Sequence, residues 1–453
     1  MAVSTLASPP LPTVERRAVL PDGFIAGGTT AGIKASGRPD LALIVATGGP
    51  AAAAAVFTPN AFAAAPVRQS RANLAATSDD PRGAFGFASA VVSTSGCANA
   101  ATGAAGDADQ EAVGRLVATT LGIDERQVLH LSTGIIGTRL PLDRVDAGLE
   151  ALAPALRDDD AGLEAAAEAL RTTDSVVKVA TASVVLPAPD GEPVTVTITG
   201  IAKGVGMIHP NMATMLSVLL TDAAIAPEVL WGVLRPAAAR TWNQLSVDGD
   251  TSTNDTVFVL ASGAAGNAPL AGGSHGAVAF GAALEAVARE LARQQAADGE
   301  GATILITTAV TGAIDDADAR AVARAVVSSS LVKAAAHGKD PNWGRIAGSA
   351  GNAVTASAAV LAAAGLTPDV AAARASQPAK LDPDRLRITI AGHLVFDGTQ
   401  GGPLEFDRAA ARTAMDASEL VIELDLGLGD GTGEAFGCDL TEKYVIENSE
   451  YTT

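Results

Sequence analysis

The chain has 453 residues, room for two or three domains at roughly 150 residues each, and it is 48% hydrophobic and 18% charged. Such a composition buries a sizeable core and excludes wholesale disorder, although with only 3% aromatics the core must pack through small side chains. Lys and Arg total 31 against 50 Asp and Glu, and a net charge of -19 excludes nucleic acid and anionic membranes, both polyanions, as partners.

Residues 1–20 read as a mobile N-terminal tail. Pro9, Pro10 and Pro12 fall there, and no apolar h-region marks a signal peptide. The uncharged stretch 41–67 is interrupted by Gly48-Gly49-Pro50 and Pro59-Asn60, and 257–284 and 346–368 are equally Ala/Gly-rich and turn-broken. All three are poor membrane spans, so the chain reads as cytoplasmic. Two cysteines, Cys97 and Cys438, make neither a disulfide framework nor a zinc site. Asp107 to Gln110 has the shape of a capping box opening a helix with Val113, Leu116, Val117 and Leu121 on one face. Asp158 to Asp160 reads as a solvated acidic loop. The segment 161–170 reads as a helix with Leu163, Ala166 and Ala167 inward. Val194, Val196 and Ile198 alternate with threonines as a half-buried strand. The segment 263–276 reads as a linker and 277–295 as a long helix. A second linker spans 366–383, before two short strands carrying Leu386, Ile388, Ile390 and then Leu394, Phe396 about the turn Ala391-Gly392. Mixed helices and strands without a dinucleotide fingerprint give an α/β or α+β protein.

Five scattered histidines form no ligand pair. The one G-x-S-x-G, Gly272 to Gly276, lacks the strand a nucleophile elbow requires and reads as a loop leading into a helix. Asp248 to Asn254 resembles a calcium loop, but its glycine is misplaced and Val259 stands where a glutamate is needed, so it reads as a polar loop with Asx turns.

Four segments carry possible chemistry. The run from Ala202 to Leu216 follows the alternating strand and holds Gly204, Gly206, Pro210 and then Ala213-Thr214. A small residue before a threonine in a turn suits an N-terminal nucleophile. The Thr214 hydroxyl attacks the preceding carbonyl, the chain breaks, and a new α-amino group of pKa roughly 8 becomes the general base. The simpler reading of Thr214 is a helix N-cap. Thr133-Gly134, in Leu131 to Thr138, can present a hydroxyl and a backbone N–H as an oxyanion hole, or mark only a strand-to-turn transition. Glu300 lies between glycines at a helix-to-strand junction, where it is a turn residue or a ligand for an amine. Lys339 to Arg345 places Trp343 among Asp, Asn and Arg, where it could lock the loop.

Taken together and in order, these segments resemble the ornithine acetyltransferase family, also called the glutamate N-acetyltransferase family of arginine biosynthesis. The match runs nearly end to end: Gly23 to Lys34, Asp40 to Ile44, Ala98 to Gly103, Ser132 to Gly137, Thr172-Thr-Asp174, Lys203 to Gly206, Met212 to Leu216, Ser246 to Asp255, Glu300 to Thr303, Asp340 to Arg345 and Asn448 to Thr453. The resemblance implies a self-cleaving sandwich of helices around two β layers with an N-terminal threonine nucleophile. Residues 21–213, with the tail, become an alpha chain, and 214–453 a beta chain beginning at Thr214. It implies cleavage between Ala213 and Thr214, an oxyanion hole at Thr133 and Gly134, and substrate binding by Thr172, Lys203, Thr214, Glu300, Asn448 and Thr453. It further implies N-acetylornithine and glutamate as substrates, a heterotetramer of two alpha and two beta chains, and no metal or cofactor, with acetyl-CoA possible as a second acetyl donor. Lys203 then binds a carboxylate as a point charge, and Glu300 pairs with the ornithine ammonium. The sequence departs from the family at Ser93 to Cys97, where Asn-Ser-Gly is usual, and in its long Ala/Gly-rich stretches. Readings from other classes are a self-cleaving amidase or aminopeptidase of related fold, a specialised-metabolism duplicate, and a non-catalytic acidic assembly protein.

Overall fold

A computed structural model describes residues 12–208, 215–353, 367–369, 372 and 381–449. Its first strands in chain order are β1 (Val14–Glu15), β2 (Phe24–Thr29), β3 (Leu41–Ala46), β4 (Ala51–Phe57), β5 (Phe85–Ala88) and β6 (Ala90–Cys97). There follow β7 (Val128–Ile135), β8 (Lys178–Pro187), β9 (Pro193–Lys203), β10 (Leu216–Thr221), β11 (Leu245–Ser246) and β12 (Thr256–Ala261). The last are β13 (Leu305–Ala313), β14 (Arg387–Ile390), β15 (His393–Asp397), β16 (Gly402–Pro403), β17 (Glu419–Asp425) and β18 (Gly431–Cys438). Two compact units divide the chain: the first comprises 1–204, 210–243 and 251–295, the second 205–209, 244–250 and 296–453.

The first unit holds two sheets, ordered β1-β8-β9-β10-β12-β4-β5 and β2-β3-β6-β7. Successive side chains of a strand face opposite ways, and β3 uses both faces. Ala42 and Ile44 join a core that also takes Ala53 and Ala55 of β4, Ile201, Val218 and Phe258 from the first-named sheet. Leu41, Leu43 and Val45 join a second cluster with Val113 and Val117 of helix Gly103–Leu121 and Val145 and Leu149 of helix Leu142–Leu152. Helix Pro227–Arg240 packs on β4, where the run of five alanines leaves a flat surface; helix His275–Ala297 packs on β9, with Leu291 against Gly200. This is the expected sandwich of helices around two β layers.

The second unit is one mixed sheet, β11-β18-β13-β17-β14-β15-β16, with β13 parallel to β17 and antiparallel to β18. Ile306, Ile388, Ile422 and Leu424 bury one face together with Val322 and Val326 of helix Asp316–Ser328 and Ile346 of helix Trp343–Asn352. Asn342 caps that last helix through the Arg345 amide. Trp343 stacks on Phe396 with centroids 5.0 Å apart, which locks the loop as the sequence suggested.

Several expectations need correction. Residues 12–20 are no tail: Val14 and Glu15 pair with Ala182 and Thr181, the Thr181 hydroxyl donates to the Arg17 carbonyl, and Ala18 is buried. Asp107 to Gln110 is not a cap, because the helix already begins at Gly103; Asp109 pairs with Arg139, and the Gln110 amide meets Asn99 and His130. Asp159 is an N-cap for helix Asp160–Leu170 as well as an Arg157 partner, so the acidic run begins an element. The stretch 263–276 is an anchored loop within the first unit. Asn267 accepts the Ala224 amide, and Ser274 accepts the Ala277 amide at the next helix. In the β14–β15 hairpin a register shift turns Val395 inward and leaves Leu394 outside. The segment after Thr214 is the strand β10, which removes the helix N-cap reading. Most of 366–383 lies outside the described residues.

Candidate active site

In the first unit the site grows from strand ends. β9 ends at Lys203, whose registered partner is Leu216 at the start of β10; Leu216 also pairs with Thr256 at the start of β12. Ala213 and Thr214 lie outside the described residues, but Thr214 is bonded to Met215, which is buried at this entrance and accepts the Thr256 amide at 3.0 Å. β7 brings Thr133 to the same place: Lys203 Nζ donates to Thr133 Oγ1 at 3.0 Å. A hydroxyl that accepts from an ammonium keeps its own proton to donate. Gly134 follows with φ 128°, and a β-carbon there would lie 2.4 Å from the Gly96 carbonyl carbon. Only glycine permits this close approach of β6 and β7, so Thr133 is held in register by the residue after it.

Beneath Lys203 sits Asp174, fully buried with Lys178 at 2.7 Å. Its Oδ1 also accepts the Gly204 amide at 2.7 Å, and its Oδ2 accepts the Thr172 amide at 3.1 Å. Burial alone would raise this carboxyl, but Lys178, Lys203 and the Gly204 amide outweigh it and hold it well below the usual carboxylate range. Asp174 thus ties Thr172 and the turn after Lys203 to one charge. Asn254 donates to the carbonyls of Ala98 and Ser132, at 2.7 and 2.8 Å, and fixes the ends of β6 and β7. Asp255 is buried, and desolvation pushes its carboxyl well up despite the nearby Lys203 charge. Asp174, Asn254 and Asp255 belong to no local catalytic motif. The usable signal was dense polar residues directly before an apolar strand, which the resemblance to a calcium loop obscured.

Two further cations belong to this unit. Lys34 is 9% exposed and donates to the Pro39 carbonyl at 2.6 Å; the Arg38 guanidinium donates to the Thr172 carbonyl. Asp40, the nearest acid in sequence, spends its oxygens on the backbone amides of Ala31 and Lys34. Burial, then Arg38, lowers the Lys34 ammonium to about 8, with Lys203 adding to the fall.

In the second unit Glu300 and Asn448 meet. The Asn448 amide donates to Glu300 Oε2 at 2.9 Å and to the Tyr444 carbonyl at 3.0 Å. The Glu300 backbone amide donates to Val205 O at 2.8 Å, and a β-carbon on Gly206 would lie 2.2 Å from Glu300 Oε2. The carboxylate is therefore seated on Gly206. Asp248 accepts the Met207 and Ile208 amides, fixing the same turn. Thr453 lies outside the described residues.

Burial drops the His130 imidazole to about 3, so it is neutral beside Gln110. Among the described residues no group of acids, histidines or cysteines is placed to hold a metal, and no helix is long and apolar enough to cross a membrane.

Lys203 thus meets a hydroxyl beside a positive-φ glycine near a strand entrance, and by its family the chain is an acyltransferase. Its sequence matches the ArgJ family over residues 25–453, and the chain belongs to that family. The arginine biosynthesis bifunctional protein ArgJ of Thermus thermophilus is 44% identical over 434 residues, covering 96% of this chain and 99% of its own length. That of Synechocystis is 41% identical over 449 residues, covering 97% and 98%. That of Thermosynechococcus vestitus is 44% identical over 446 residues, covering 95% and 96%.

Proposed function

We propose that this chain moves an acetyl group from N2-acetyl-L-ornithine to L-glutamate, through an acetyl ester on Thr214, after cleaving itself between Ala213 and Thr214. The observation that carries this reading is the 3.0 Å contact of Lys203 with Thr133 at the entrance of the strand that Thr214 precedes. The full-length likeness to arginine biosynthesis proteins supports it.

Cleavage begins with attack of the Thr214 hydroxyl on the Ala213 carbonyl. The oxyanion takes hydrogen bonds from the Thr133 hydroxyl and the Gly134 amide. The C–N bond breaks, the Thr214 nitrogen takes a proton, and water hydrolyses the ester to leave residues 1–213 and 214–453. The free α-amine then removes the proton of its own hydroxyl for attack on the acetyl carbonyl of N-acetylornithine. Ornithine leaves with a proton on its α-nitrogen, and the glutamate amine attacks the ester in the second half-reaction. Lys203 and Thr172 grip the α-carboxylate common to both substrates. Glu300, with Asn448 and Thr453, receives the ornithine ammonium. The cycle needs no metal, and acetyl-CoA is the alternative acetyl donor to test. Two alpha and two beta fragments form the proposed heterotetramer.

The experiment is a denaturing gel with N-terminal sequencing, followed by mass analysis of the C-terminal fragment after exposure to N-acetylornithine alone. The expected fragment begins Thr-Met-Leu and gains one acetyl group, which glutamate removes as N-acetylglutamate. Thr214→Ala should remain one inactive chain. Active wild-type protein that is uncleaved would refute the cleavage, and free acetate formed without an acceptor would make the protein an amidase.

A further inference from the structure

The proposed cycle leaves one charge without a partner. Glutamate brings two carboxylates, and Lys203 takes one. We infer that Lys34 and Arg38 form an anion subsite that takes the side-chain carboxylate of the dicarboxylic acyl acceptor. The inference rests on the proposed glutamate acceptor and adds residues that reading does not use.

Three observations support it. First, Lys34 is almost wholly buried, yet its ammonium meets only a carbonyl oxygen, and Arg38 likewise meets only the Thr172 carbonyl. Neither side chain has an ion pair with a carboxylate among the described residues. A buried ammonium without a counter-ion is costly, and an incoming carboxylate removes that cost. Second, both lie beside the acyl-transfer groups. The Lys34 backbone passes 3.2 Å from the β-carbon position of Gly96, which packs on Gly134, the neighbour of Thr133; Arg38 bonds the backbone of Thr172 itself. Third, Lys34 feels the charges of both Arg38 and Lys203, so three cations converge on one region. The acids that also act on Lys34 are Asp40, committed to backbone amides, and Glu168, which pairs with Arg171. An exposed guanidinium is the group best shaped to accept a carboxylate with two parallel hydrogen bonds.

The test uses the processed wild-type protein with Lys34→Met and Arg38→Met. Each half-reaction is measured separately, and glutarate binding is measured by calorimetry as a readout independent of turnover. Loss of one charged hydrogen bond corresponds to about ten- to a hundredfold. The ratio of glutamate KM to N-acetylornithine KM should rise by about tenfold or more in each variant. Wild type should prefer glutamate over glutamine as acceptor, and the variants should lose that preference. Glutarate affinity should fall by a similar factor. An unchanged KM ratio with retained preference for glutamate would overturn the inference, as would equal losses in both half-reactions, which mark a structural role. If wild-type protein transfers no acetyl group but binds glutarate through Lys34 and Arg38, the proposed reaction fails and the subsite stands. If it binds no glutarate at all, the subsite is refuted whatever the activity.

Discussion

Replacing Asp174 by asparagine removes one charge and keeps the shape of the side chain. The charge is shared by Lys178 Nζ and the Gly204 amide at 2.7 Å, and the pair is fully buried on both sides. Asparagine Oδ1 can still accept both bonds, but its NH2 then faces the Thr172 amide, a donor that Asp174 Oδ2 satisfied at 3.1 Å. Lys178 is left as a buried ammonium that has lost the Asp174 charge. Breaking one half of a buried pair costs about 3–5 kcal/mol. For a unit of this size each kcal/mol lowers Tm by about 2–4 °C, so a fall near 10 °C is expected. The assay is scanning calorimetry of Asp174→Asn beside a double variant that also carries Lys178→Met. Removing both charges should recover much of the loss, because the buried pair is then removed as a whole. The sign with pH is also fixed. A carboxyl held below its unfolded value contributes stability above that value and loses it as acid titrates the carboxylate. The variant should therefore show a flatter acid limb than wild type. A Tm within about 2 °C of wild type, or a double variant no better than the single, would refute the assignment of Asp174 as the charge that holds this turn.

Other consequences can be measured directly. Thr133→Ala should lower kcat by about a hundredfold or more with a smaller change in KM, since a lost oxyanion donor costs about 2.7–4 kcal/mol; a near-normal kcat removes Thr133 from that role. Glu300→Gln should slow acetylation by N-acetylornithine much more than transfer to glutamate, and Gly206→Ala should imitate it, because the new methyl would occupy the carboxylate's place. Equal losses in the two half-reactions would make Glu300 a turn brace. The glutamate KM should rise as pH passes through about 8. Lys34, facing Arg38, Asp40, Glu168 and Lys203, is charged below that value and neutral above it. With methionine at position 34 this rise should disappear, and its persistence would assign it to another group.

Local pattern made some of this architecture readable and left other parts dark. Alternation about Val196 and Ile198 marked β9, and the apolar periodicity of 161–170 and 277–295 marked two helices, because burial on one face imposes a period that sequence retains. The helix start at Gly103 carries no capping signal, because its N-cap Thr102 makes no side-chain capping bond. Asn99 and Thr102 satisfy one another there, and Asp107 merely looked like a better start. Glycine spacing pointed to Thr133-Gly134, which lies within β7, and to Lys203 through Gly206, where β9 ends. Asp174, Lys178, Asn254 and Asp255 escaped because their importance is burial and long-range pairing. Nothing in a single strand of text distinguishes a solvated aspartate from one whose carboxylate takes bonds from Lys178, Gly204 and Thr172. The tail was misjudged for the same reason. Prolines forbid a helix, but they do not forbid a short edge pairing such as Val14 with Ala182.

The order β1-β8-β9-β10-β12-β4-β5 has a consequence for the two products of the proposed cleavage. Five of these strands precede residue 214, and only β10 and β12 follow it. Those two occupy the middle, with β10 laddered to β9 from Leu216 to Thr221 and β12 laddered to β4 from Thr256 to Ala261. The seam between the products is therefore two full rows of backbone hydrogen bonds inside one sheet. Pulled apart, the shorter product would expose two raw strand edges, β9 and β4, each flanked by apolar surface, which is the template from which aggregates grow. The longer product would carry a two-stranded ribbon with no sheet to complete. Neither piece holds a finished core from this unit, so the order of events is fixed by topology: the sheet must close first and the chain be cut afterwards. Separately expressed halves, unlike the cut single chain, should meet this problem before they ever meet each other.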